Sequence, residues 1–143
     1  MSRISFTLSI CPQTIQLDNR IGRSKSGKAF MFSDKRKKDY LFLVWASANR
    51  YRPSQPFKGP LKMDLVFILP RPKAMMRKCD PDDLIPMPRK PDRDNLQKGT
   101  QDGLSASGFW LDDAQIFDGR VAKFYAEKGG QPRIIVTIEE VQL

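Results

Sequence analysis

Asp92 and Asp94 stand two residues apart, a spacing that puts both side chains on one face of an extended segment; Lys98 follows four residues after Asp94, and a second acidic pair, Asp112-Asp113, arrives further along. Gathering acids in this way needs a reason in a chain of formal charge +9. Neighbouring carboxylates repel one another unless a cation joins them, and hard divalent cations prefer oxygen ligands. An acidic pocket inside a basic exterior suits phosphodiester chemistry, because the surface holds phosphates and the pocket cuts between them. Each residue also has a plainer reading. Asp94 or Asn95 suits the N-cap of a helix. Asp94 and Lys98 suit an exposed i,i+4 pair contributing roughly 0.3 to 0.5 kcal/mol. Asp112-Asp113 suits the start of a short helical turn. An EF-hand reading of residues 92 to 95 fails, because the turn glycine and the distal acid are not where that loop needs them. Taken together, in a chain with no histidine, the metal site is the stronger reading.

Several chemistries are excluded at once. Without histidine there is no Ser-His-Asp or Cys-His catalysis and no imidazole ligand. Cys11 and Cys79 are far apart and form neither a zinc spacing nor a disulfide framework. They read as reduced thiols in a cytoplasmic protein. No apolar run approaches the roughly 20 residues that cross a bilayer, and the N-terminus lacks a signal-peptide core. The expectations are a cytoplasmic location, no membrane partner and no small-molecule cofactor. Lys and Arg total 25 against 16 acids, a balance that favours a polyanionic partner, nucleic acid first.

The elements that must position these residues are legible in outline. A chain of 143 residues with 40% hydrophobic content makes one domain with a real core. Ile4, Phe6, Leu8 and Ile10 alternate with polar residues and predict a strand ending at Pro12. The basic stretch from 18 to 38 begins as a loop or short hairpin. Ser33 and Asp34 then open a helix running to about Arg50, with Tyr40, Leu41, Val44 and Trp45 on its apolar stripe. Lys62 to Leu69 predicts a central strand buried on both faces. Residues 70 to 91 hold six prolines and many basic side chains and predict an irregular, mobile loop in which Asp80, Asp82 and Asp83 are solvated. A helix follows over about Asn95 to Ser107, where Gly99 and Gly103 permit close approach of another helix. Two strands, Val121 to Ala126 and Arg133 to Glu139, close the chain around Gly129-Gly130. The predicted class is α+β: a single domain over 1-143, a small mixed β-sheet packed by two main helices.

The acidic stretch also resembles a known family. Pro91-Asp92-Arg93-Asp94-Asn95-Leu96-Gln97-Lys98, Asp102-Gly103-Leu104, Gly108-Phe109-Trp110-Leu111-Asp112-Asp113-Ala114-Gln115-Ile116 and Arg120-Val121-Ala122-Lys123 together resemble the RusA-type Holliday junction resolvases, endodeoxyribonucleases often carried by prophages. The resemblance runs without a gap from about Asp92 to Ile138, roughly a third of the chain. It implies a homodimer acting on four-way branched DNA in recombination and repair, with one Mg²⁺-dependent nick per subunit and Mn²⁺ able to substitute. By motif position, Asp92, Asp94 and Asp113 take the metal-binding carboxylate roles and Lys98 the essential lysine, with Asp112 a lesser helper. Candidates for backbone contact with DNA are Arg20, Arg23, Lys25, Lys28, Lys90, Arg93 and Lys123. The sequence departs from the family after the first strand, where Cys11-Pro12-Gln13-Thr14-Ile15-Gln16-Leu17-Asp18-Asn19-Arg20 stands in place of a proline followed by small polar residues and an asparagine. Two other classes fit the same residues: a metal nuclease for flaps or other branched DNA, and a basic DNA-binding protein without catalysis. A binder of anionic membranes is disfavoured, because no strongly amphipathic helix presents a broad apolar face.

Overall fold

The computed structural model describes residues 2–14, 21–23, 29–31 and 35–143. Its strands are β1 (Ser2–Leu8), β2 (Ile21–Arg23), β3 (Ala29–Met31), β4 (Leu61–Leu69), β5 (Ile85–Pro86), β6 (Ile116–Asp118), β7 (Val121–Tyr125) and β8 (Arg133–Glu140). The helices are α1 (Lys35–Ala48) and α2 (Arg93–Ala106). The main sheet runs β1-β8-β4-β7-β5, with β6 beside the start of β4, while β2 and β3 form a separate antiparallel pair. β8 pairs antiparallel with both β1 and β4, whereas β4 pairs parallel with β6 and β7. This is the predicted mixed sheet with two helices.

Register explains the core. Ile4, Phe6 and Leu8 oppose Ile138, Val136 and Ile134, which oppose Met63, Leu65 and Phe67. Alternation puts all of these on one face, and that face packs with Tyr40, Val44 and Ala48 of α1 and Leu96 and Leu104 of α2. Each large apolar side chain fully buried here stabilises by roughly 1.5 to 3 kcal/mol. The opposite face is polar toward β1, where Ser5 and Thr137 hydroxyls meet at 3.1 Å. Lys62 and Asp64 are exposed and Val66 only half-buried, so β4 is buried on both faces only near its end, at Ile68. β4 is nonetheless central, as its residue pattern implied.

Two expectations change on inspection, and a third falls outside the described residues. Trp45 is exposed, because the buried stripe of α1 recurs every four residues at Tyr40, Val44 and Ala48. The proposed Ser33-Asp34 start of that helix lies outside the described residues. Residues 70 to 91 are irregular but pinned. Buried Arg71 donates to the carbonyls of Ala126, Met75, Pro81 and Asp83 at 2.5 to 3.2 Å. Asp80 pairs with Arg77 and Asp82 with Lys128, and β5 adds two residues to the edge of β7. The close approach of the helices is as expected: a Cβ on Gly103 would meet Val44 Cγ1 at 2.5 Å.

Candidate active site

Asp92 is the N-cap residue of α2, extended at φ −72° and ψ 148°, and its carbonyl accepts the first helical bond from Leu96 N at 3.2 Å. The N-cap preference of Asp and Asn suggested Asp94 or Asn95 as the cap. Pro91 and extended Asp92 move the start forward instead, and Asp94 falls within the first turn. The two acids therefore do not share the face of an extended segment. They converge because one sits at the cap and the other two residues on, within the first turn. Asp92 makes no side-chain capping bond, and neither carboxylate has a hydrogen-bond or ion-pair partner among the described residues. Both are exposed.

Both acids line one open cavity of about 540 Å³ with Arg93, Gln97, Gly119, Val121 and Lys123. Asp92 also borders a second cavity of about 380 Å³, with Thr14, Lys90, Pro91 and Asn95. Strand β7 forms the wall facing α2. Arg93 Nη1 donates to Val121 O at 3.0 Å, and Lys123 Nζ donates to the carbonyls of Arg89 and Pro91. Gly119 also lines the cavity. Its φ of +152° and its approach to Met63 O, 1.8 Å from where a Cβ would sit, leave room for no other residue.

The other expected site residues lie elsewhere. Lys98 is exposed on α2 and does not line the acidic cavity; Gln97, one helical turn from Asp94, does. Asp113 is half-buried in a short 3-10 turn beyond the far end of α2, where its Oδ1 accepts from Trp110 Nε1 at 2.7 Å. Asp112 caps that turn, accepting from Ala114 N, while Gln115 Oε1 accepts from the amides of Leu111 and Asp112. Gln115 Nε2 then ties the turn to the carbonyls of Phe57 and Gly59. Among the described residues no three acids or cysteines gather closely enough to hold a metal together. Lys90 borders the second cavity, whereas Arg20, Lys25, Lys28 and the side chain of Arg23 lie outside the described residues. Gln97, Gly119 and Val121 were not foreseen. Only Gln97 carried a signal, its helical spacing from Asp94.

The family described as Endodeoxyribonuclease RusA matches residues 13–139. The chain belongs to the RusA family. Its match to the uncharacterized protein YqaN of Bacillus subtilis (strain 168) is 33% identical over 125 residues, covering 84% of this chain and 85% of that one. The crossover junction endodeoxyribonucleases RusA of Escherichia coli (strain K12) and of Enterobacteria phage 82 are each 49% identical over 53 residues, 37% of this chain and 44% of theirs. The high identity is thus confined to a short stretch, while the RusA family match takes in both helices and most of the sheet. No helix among the described residues is long and apolar enough to cross a membrane.

Proposed function

We propose that this RusA-family chain is a divalent-metal-dependent endodeoxyribonuclease that resolves four-way DNA junctions by paired nicks as a homodimer. The observation that carries the reading is the pair Asp92 and Asp94, exposed and without partners among the described residues, in a cavity at the start of α2 within a chain of net charge +9. The donor set suits Mg²⁺, which takes one or two carboxylates, keeps several waters and completes its shell with substrate phosphate. Mn²⁺ accepts the same oxygen donors. Asp92 and Asp94 would hold the ion. When bound, it supplies a more acidic water and neutralises charge on the phosphate.

The remaining roles belong to the chain's own groups. The amides of the first turn of α2 receive no side-chain cap from Asp92, so the helix start is open to a phosphate oxygen. Arg93 places a guanidinium at the cavity wall beside it. Lys98, one turn on, contributes positive charge along the path of the backbone. Asp113 keeps its family role as a third carboxylate within this proposal. The competing reading, a DNA-binding protein that does not cut, draws on one observation: Asp113 is engaged by Trp110 and absent from the cavity lining.

Cleavage of a synthetic four-way junction beside linear duplex, with Mg²⁺ or EDTA, separates the readings. Symmetric nicks confined to the junction are expected, abolished by EDTA. Asp94→Asn should slow them on the order of 100-fold or more, the scale of a single preorganised electrostatic group, with junction binding retained. Equal cutting of all substrates would remove the junction specificity. Binding without cutting by the wild type would sink the enzyme.

A further inference from the structure

Away from the edge row of Ser2 and Glu140, the inner face of the sheet is apolar row by row, with one exception. A single row crosses four strands: Leu8 of β1, Ile134 of β8 and Phe67 of β4, all fully buried, and then Lys123 of β7. Its neighbours two residues away on the same face are Val121, packed on the core, and buried Tyr125. A lysine has thus been placed where the pattern of the sheet calls for an apolar side chain. Burying part of an ammonium group requires acceptors, and Nζ has them in the carbonyls of Arg89 and Pro91, the latter at 2.7 Å. Those two residues bracket Lys90 and directly precede Asp92. An ammonium has three N–H donors. Two are held by this backbone segment, and one remains for the cavity that Lys123 lines with Asp92 and Asp94.

This arrangement fits poorly with a lysine that grips a DNA phosphate, the role its charge first suggested. Resting on the nuclease reading above, we propose that Lys123 is a positioning residue: it clamps the 89–91 segment to β7 and thereby fixes Asp92 relative to Asp94 for cation binding. Arg71 holds the other end of the same long loop, so the clamp acts on a segment that is anchored at both ends. A carboxylate pair shared between a cap residue and a helix turn keeps its spacing only if the residue before the cap is held, and Lys123 is the side chain that holds it.

The test compares wild type with Lys123→Met, Lys123→Gln and Lys123→Arg, each checked for folding by circular dichroism and thermal melting. Three quantities are read: Mn²⁺ affinity of the DNA-free protein by electron paramagnetic resonance, junction affinity without divalent cation across a salt series, and single-turnover cleavage at saturating junction. Lys123→Met is expected to weaken Mn²⁺ binding and slow cleavage, each by about 10- to 100-fold, the range for groups that orient metal ligands. Junction affinity and its salt slope should stay at wild-type values. Lys123→Arg, which keeps the charge and paired donors, should recover most of both losses. A salt slope reduced by about one, with Mn²⁺ affinity unchanged, would make Lys123 a phosphate contact and overturn the proposal. Wild-type behaviour of Lys123→Met in all three readouts would overturn it as well. If Lys123→Met does not fold, Lys123→Gln carries the same comparison. Should the wild type cut no junction, the nuclease reading falls, and Mn²⁺ affinity alone still decides the role of Lys123.

Discussion

Asp92 holds the position from which a side chain ordinarily satisfies the first amides of a helix, yet it makes no such bond. Asp112 holds the equivalent position of the 3-10 turn and does make it, at 2.8 Å to Ala114 N. Two residues of one type in one kind of position therefore do different work, and stability separates them. Asp112→Ala should cost about 1 kcal/mol, the usual value of a lost cap, measured by urea unfolding. Asp92→Ala should stay within about 0.5 kcal/mol of wild type, as at an ordinary surface position, while junction cleavage collapses. A stability loss at Asp92 matching that at Asp112 would show a capping acid and weaken the case for a cation ligand. The sequence made Asp92 and Asp94 legible through their spacing, although the geometry that joins them is a cap and a first turn rather than one strand face. Lys123 was readable only as a charge. Its partners lie 34 and 32 residues away, and only the pairing of β7 with β4 brings it to the inner face.

At the level of elements, the start of α2 is placed by what α2 leans on and by the loop that enters it. The helix meets α1 at Gly103, where a Cβ would lie 2.5 to 2.7 Å from Val44 Cγ1 and Cβ. Gly103→Ala gains about 1 kcal/mol of helix propensity but forces apart two packed helices. Overpacking of that kind costs typically 1 to 3 kcal/mol, so a net loss is expected. Adding Val44→Ala should return part of it, with positive coupling in a double-mutant cycle. Strict additivity would mean that the helices do not touch there. Arg71 anchors the incoming loop through four carbonyls. Arg71→Met should open residues 72 to 84 to limited proteolysis at temperatures where the wild type resists; equal cleavage rates would show that the prolines suffice. Periodicity and turn chemistry exposed the long strands and both helices, because those signals are local. They could not reveal the two-residue β5, the parallel β6, or an ordered proline-rich loop. Pairing partners remote in sequence and a single buried arginine decide those features.

The whole molecule sets a harder requirement than its parts. Two symmetric nicks in one junction need two acidic sites facing two strands, and each chain carries a single Asp92–Asp94 cavity among its described residues. A two-fold dimer meets that need with one interface, because an isologous pairing presents the same site twice about an axis that matches the junction. Light scattering should therefore give twice the 16.4 kDa chain mass at concentrations where paired nicking proceeds. Binding should weaken steeply with salt, because a chain of charge +9 meets phosphates through released counterions, at about 0.9 in log-log slope per contact. Mixed assemblies give the sharper result. Wild type combined with a large excess of Asp94→Asn should form dimers with one competent cavity, and these should nick one strand and leave the junction unresolved. Product analysis under denaturing and native conditions distinguishes the two cuts. Loss of all nicking in proportion to the wild-type dilution squared would mean that both chains build each site. Undiminished paired nicking by the mixture would mean that one chain cuts twice, and the dimer would then have no catalytic purpose.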